Sequence, residues 1–288
     1  MDTITHTLFG VGIYQSVNKE QMSKKEKYAL LLTSIGASQI PDIDVISQLW
    51  DTTGQYQLWH RGITHSVFLA PIWALLFYII NRYIFKIKGI QSFFIALLAV
   101  FIHNTSDVFN AWGTGYLEPF STVRLTFGTI PIVDLVIWFI FLLAFVATKI
   151  YPKVKTHLLF RIGWILIVLH IALQSIQGSI LYKYYQEDYQ DLALSASFIP
   201  WHFTIVGKNG DTVDIINDSL LSNAEFVERI TSSNNVDLDL LFAENPAAAT
   251  LYQWSPFVVV VEDNNRIGIY DPRFYRNGES FLGEYLEK

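Results

Sequence analysis

The 288-residue sequence contains no cysteine, which excludes disulfides, thiolate metal sites and a cysteine nucleophile. Charge is scarce: Asp, Glu, Lys and Arg make up 16% of the chain, against roughly 25% in soluble proteins. There is no basic domain and no basic stripe interleaved with aromatics, so nucleic acid is excluded as a partner. The first residues lack the basic stretch and small-residue cleavage site of a signal peptide, which predicts that Met1 is retained. What fills the space is apolar, at 51% of positions. The net charge of -6 conceals an asymmetry, with 13 basic against 9 acidic residues over 1–181 and 7 against 17 over 182–288. The two parts are built for different surroundings.

Four apolar stretches, 66–85, 91–109, 130–150 and 158–181, approach the roughly 20 residues needed to cross a hydrocarbon core. Two weaker ones precede them, 4–17 and 28–46, the second interrupted by Gly36, Ser38 and Pro41. The expected fold class is mainly α: a polytopic transmembrane helical bundle over 1–181, followed by a small α+β extramembrane domain over 182–288. Lys and Arg cluster at 19–27, 82–88 and 149–161. Placing these clusters in the cytoplasm sends 41–64, 110–129 and everything after 181 to the outer face. The expected location is therefore the cell membrane, multi-pass, with the C-terminal domain extracytoplasmic and the lipid bilayer as partner. In that domain, 201–206 and 212–216 around Lys208-Asn209-Gly210 predict a hairpin, as do 257–261 and 267–270 around Asp263-Asn264-Asn265. Residues 224–230 and 238–252 look helical, the latter broken near Pro246.

Ionisable residues at membrane depth or span ends are costly and mark function by default. Here they group: His6; Asp42 and Asp44 in Pro-Asp-Ile-Asp; His60, Arg61, Thr64 and His65 in His-Arg-Gly-Ile-Thr-His-Ser; and His103 with Asp107, four apart on one helix face. The orientation drawn from Lys and Arg alone brings all of them to one membrane surface. Imidazole nitrogens and carboxylate oxygens suit a hydrolytic divalent metal, with zinc the expected ion. His6, Asp42, Asp44, His60, His65, His103 and Asp107 are the candidate ligands. They exceed one tetrahedral site, so one or two ions are expected, with some residues orienting others. Asp44 and Asp107 are also candidate catalytic groups, one aspartate being free to act as general base, and Arg61 is a candidate phosphate clamp, as is Arg124. By contrast, His157 among lysines reads as solvated and His170 as a packed core histidine. Pro-Asp-Ile-Asp alone is equally consistent with helix caps, and Asp134 with a first-turn acid favoured by the helix dipole.

At these residues the chain resembles the membrane-bound metal-dependent hydrolases of bacteria and archaea, which include the LexA-regulated inner-membrane protein of enteric bacteria. The likeness runs through Met1-Asp2, Thr5-His6, Pro41-Asp42-Ile43-Asp44, the 60–66 motif, His103 and Asp107, then Gly113-Thr114, Pro119-Phe120-Ser121 and 130–134, covering about residues 1–150. The resemblance implies hydrolysis, and the layout of His and Asp is similar to that of zinc-dependent phospholipase C enzymes. The function expected is hydrolysis of an ester or phosphoester, as a small molecule or a lipid, at the outer membrane surface. Two other classes compete with it: an ion-binding or transport protein, disfavoured because the candidates lie near span ends rather than the midplane, and a non-catalytic regulator with a structural metal.

Overall fold

The computed structural model describes residues 1–234, 236–276 and 279–288. Its helices are α1 (Thr3–Ser16), α2 (Lys24–Gln39), α3 (Tyr56–Trp59), α4 (Ala70–Tyr83), α5 (Gln91–Val108), α6 (Leu135–Ile150), α7 (Thr156–Tyr185), α8 (Leu238–Glu244) and α9 (Pro246–Trp254). Its strands are β1 (Asp191–Ala196), β2 (Phe203–Asn209), β3 (Thr212–Ser219), β4 (Ser222–Thr231), β5 (Val259–Glu262), β6 (Arg266–Tyr270), β7 (Tyr275–Arg276), β8 (Glu279–Ser280) and β9 (Gly283–Glu287). Among the described residues helix, 3-10 segments included, accounts for 51% and strand for 17%.

This is not the polytopic bundle expected from the apolar runs. Among the described residues two helices are long and apolar enough to cross a membrane, Lys24–Leu49 and Thr156–Tyr185, or three if the bent pair Tyr56–His65 and Ala70–Tyr83 forms one span. The reason is length. With 14, 14 and 16 residues, α1, α4 and α6 reach only about 21–24 Å at 1.5 Å per residue, short of a hydrocarbon core of about 30 Å. The 18 residues of α5 end in His103-Asn104-Thr105-Ser106-Asp107, polar side chains that lower its hydropathy. The stretch 66–85 becomes helical only at Ala70, because a 3-10 turn at Ile63–His65 and Pro71 near the helix start set the boundary.

The chain forms two compact units, one of Met1–Ile43, Arg61–Thr126 and Pro131–Leu173, the other of Asp44–His60, Phe127–Ile130 and Gln174–Lys288. In the first, Asp2 caps α1 by accepting from the amides of Ile4 and Thr5, and Ser23 with Glu26 forms a capping box on α2. Gly10 sets the α1–α2 approach: a Cβ there would lie 2.7 Å from Ile35 Cα and 2.9 Å from the Ser34 carbonyl oxygen. Ala70 and Ala74 of α4 pack with Ala96, Ala99 and Val100 of α5 and with Ile13 and Ala37, small side chains that let helices come close. Asp134 caps α6, one carboxylate oxygen accepting from the Val136 and Ile137 amides and the other 2.9 Å from His170 Nε2 on α7. That buried pair accounts for both residues.

The second unit carries an antiparallel sheet ordered β1-β2-β3-β4 and another ordered β5-β6-β9, with a short β7-β8 ladder. Val206, Val213, Ile215, Phe257, Val259 and Tyr270 bury into one core. Both expected hairpins form, β2–β3 turning at Gly210 with φ +58° and β5–β6 around 263–265. Residues 224–230, expected as helix, are instead in β4, where Val213 pairs with Ile230 and Asp214 with Arg229. Tertiary pairing decides there, since Phe226, Val227 and Ile230 suit a strand at least as well. The stretch 238–252 splits at Pro246 into α8 and α9, with Asn245 capping the second.

Candidate metal centre

Three short sequence signals build the centre in the first unit. Asp42 lies in the 3-10 segment Ile40–Leu49 that continues α2. His65 ends the turn Ile63–His65, and His103 and Asp107 share one face of α5. Among the described residues, Asp42, His65, His103 and Asp107 each offer one donor atom, all within 4.8 Å of one another, a group that could hold a metal ion. His65 Nε2 is 3.1 Å from His103 Nε2, 3.2 Å from Asp42 Oδ1 and 3.4 Å from Asp107 Oδ2. His103 Nε2 is 3.6 Å from Asp42 Oδ1 and 3.7 Å from Asp107 Oδ2. A tetrahedron with metal–donor bonds of about 2.0–2.2 Å has edges of about 3.3–3.6 Å. The five separations above, from 3.1 to 3.7 Å, bracket that figure.

Neighbouring groups aim the imidazoles. His103 Nδ1–H donates to the Ser38 carbonyl at 2.7 Å, which leaves the Nε2 lone pair of the neutral ring facing the cluster. His65 Nδ1 meets the Thr64 hydroxyl at 3.0 Å and likewise turns Nε2 inward. His65, His103 and Asp107 have no solvent exposure, while the Asp42 side chain is 21% exposed and forms the open side.

His6 is also fully buried, its ring stacked on that of His103 with centroids 3.6 Å apart. Neither of its nitrogens has a hydrogen-bond partner, and Asp107 Oδ2 has none either. His6 Nε2 stands 3.4 Å from Asp107 Oδ1, which the α-amino group of Met1 also contacts. Two unpartnered imidazole nitrogens and a buried carboxylate oxygen are costly, and a cation is the partner such donors suit.

Arg61 is placed differently from a phosphate clamp open to solvent. It is buried, with φ +58°, and its guanidinium donates to Asn110 Oδ1 at 2.7 Å and to the Met1 carbonyl at 3.2 Å, while Nε lies 3.4 Å from Asp107 Oδ2. It orients Asp107. Arg124 donates to the Gly113 carbonyl at 3.4 Å. Asp44 and His60 belong to the second unit, where Asp44 Oδ1 and His60 Nδ1 are 3.1 Å apart and Tyr56 stacks on the His60 ring. Sequence reasoning did not identify Asn110, the Ser38 carbonyl or the α-amino group of Met1. The sequence signals near them are that Asn110 lies three residues beyond Asp107 and that Met1 stands in the Met1-Asp2 pair of the resemblance.

Residues 1–181, which carry all of these side chains, match the family described as YdjM inner membrane protein. The chain belongs to that family. Membership in the YdjM family, together with the apolar helices, locates the protein at the cell membrane. The chain is also 32% identical over 139 residues to the "Uncharacterized protein YfhP" of Bacillus subtilis (strain 168). That match covers 46% of this chain and 42% of YfhP, so it takes in less than half the length of that relative. No solved structure matches the chain.

Proposed function

We propose that this YdjM-family protein is a membrane-embedded, metal-dependent hydrolase of an ester or phosphoester at the outer membrane surface. The observation that carries the reading is the convergence of donor atoms from His65, His103, Asp42 and Asp107 within 4.8 Å of one another. These four residues would hold one divalent ion, zinc by the chemistry of the donors, and His6 with Asp107 Oδ1 would contribute to a second. Such an ion supplies Lewis acidity, polarising a phosphoryl or carbonyl oxygen and lowering the pKa of water.

The chain's own residues divide the remaining work. Ser38 and Thr64 hold the two imidazoles in register, and Arg61 with Asn110 fixes Asp107. Asp42, the exposed member, marks the side from which substrate would arrive. The distribution of Lys and Arg supports an orientation with residues 182–288 outside.

One observation favours a second reading, a structural metal in a non-catalytic regulator: four protein donors around one ion leave a tetrahedral shell closed. Elemental analysis of the purified protein, with a screen of chromogenic ester and phosphoester substrates with and without chelator, separates the two. Hydrolysis that chelator removes and zinc restores supports the hydrolase. Bound zinc without turnover supports the structural metal, and a protein purified and reconstituted without any bound divalent ion defeats both.

A further inference from the structure

We infer that the centre's substrate is a lipid, whose acyl chain lies against a clamp formed by Phe68 and Phe120; the inference rests on the hydrolase reading above. Phe68 follows His65 by three residues, in the break before α4. Phe120 belongs to the loop 115–121, which hydrogen bonds tie to the His-Arg-Gly-Ile-Thr-His-Ser segment. The Gly115 amide donates to the Arg61 carbonyl at 2.7 Å, the Val67 amide donates to the Tyr116 carbonyl at 2.9 Å, and the Ser66 hydroxyl donates to the Glu118 carbonyl. The loop therefore cannot drift from the segment that carries His65. The two rings meet edge-on with centroids 4.9 Å apart, yet Phe68 is 50% and Phe120 79% exposed. Ile63 and Leu117 expose further apolar surface on the same two stretches. Two exposed rings held against each other in this way mark a place that something apolar covers.

The apolar helix faces that follow Phe68 along the chain identify the occupant. Two residues beyond Phe68, α4 begins and exposes Ile72, Leu76 and Ile79, and α5, packed on α4, exposes Phe94, Leu98 and Phe101. The clamp is thus the end of an apolar surface suited to hydrocarbon, and on the chain it adjoins the polar metal donors. An amphiphile with an ester or phosphate head and an acyl tail matches both.

The test measures binding of alkylphosphonates of 1, 4, 8 and 12 carbons, chosen as about evenly spaced probes, to the zinc-loaded full-length protein in lipid nanodiscs. Each affinity is corrected for partition of the probe into empty nanodiscs. Affinity should rise with chain length, by at most about fourfold per buried methylene. Phe68→Ala and Phe120→Ser should flatten the rise at unchanged zinc content and unchanged methylphosphonate affinity, while Phe120→Leu should keep most of it. A flat series in the wild type, or an equally steep one in both clamp variants, overturns the inference, even if short chromogenic esters are hydrolysed. A steep, clamp-dependent series without turnover of any ester upholds the lipid site and refutes the hydrolase.

Discussion

Replacing Asp107 with Asn tests the centre most sharply, because one buried carboxylate serves five neighbours, the Met1 α-amino group among them. Its oxygens lie 3.4 Å from His6 Nε2, 3.4 Å from His65 Nε2, 3.7 Å from His103 Nε2 and 3.4 Å from Arg61 Nε. Asp107→Asn keeps the volume, so no cavity opens and the effect is electrostatic. The substitution removes the carboxylate charge that faces the buried Arg61 guanidinium, a loss of about 3–5 kcal/mol. For a chain of this size, that corresponds to a fall of roughly 6–20 °C in the thermal midpoint, measured in detergent at a fixed scan rate. Zinc affinity should fall by more than the 10–100-fold that altering an orienting residue costs, leaving the variant substoichiometric after dialysis against a weak chelator. Adding Arg61→Met should restore part of the midpoint by removing the buried charge that faced the carboxylate, but none of the zinc. An Asp107→Asn protein with full zinc content and an unchanged midpoint would refute the reasoning.

His65→Ala and His103→Ala should lose zinc by elemental analysis, whereas His157→Ala should not. His170→Ala should keep its zinc but lower the thermal midpoint, because it removes the partner of the Asp134 cap. Gly10→Ala should force α1 from α2 at a cost of about 1–3 kcal/mol and weaken zinc binding through His6; a variant with unchanged stability contradicts the close approach. Labelling of single introduced cysteines should find positions 24, 86 and 153 protected from impermeant reagent outside the cell and positions 209 and 264 reactive, and the opposite pattern would reverse the orientation. Arg229 holds the Asp214 carboxyl below its ordinary value by hydrogen bonding. That contribution to stability is present above the unfolded-state aspartate pKa of about 3.9 and is lost as pH falls through the folded-state value. Hydrogen exchange of β4 should therefore lose protection in acid, and Asp214→Asn should remove that pH dependence.

The grouping of the centre was legible in the sequence because its members come in short local signals. His103 and Asp107 sit four apart on a helix, and His65 and Asp42 stand in compact motifs of ionisable residues near the ends of apolar runs. Alternating apolar residues and turn-forming Asn and Gly marked both hairpins for the same reason: their physics is local. What the sequence could not decide depends on contacts distant along the chain. Whether an apolar run spans a bilayer depends on where its helix actually begins and ends, which at 66–85 was set by the His65 turn and at 91–109 by the polar end of α5. Residues 224–230 became a strand because β3 offers a hydrogen-bonding edge, and propensity could not foresee it. The role of Arg61 followed the same rule. Its sequence setting suits a phosphate clamp, but only the tertiary structure brings Asn110, 49 residues away, and Asp107 to its guanidinium, and a buried cation is held where its partners are.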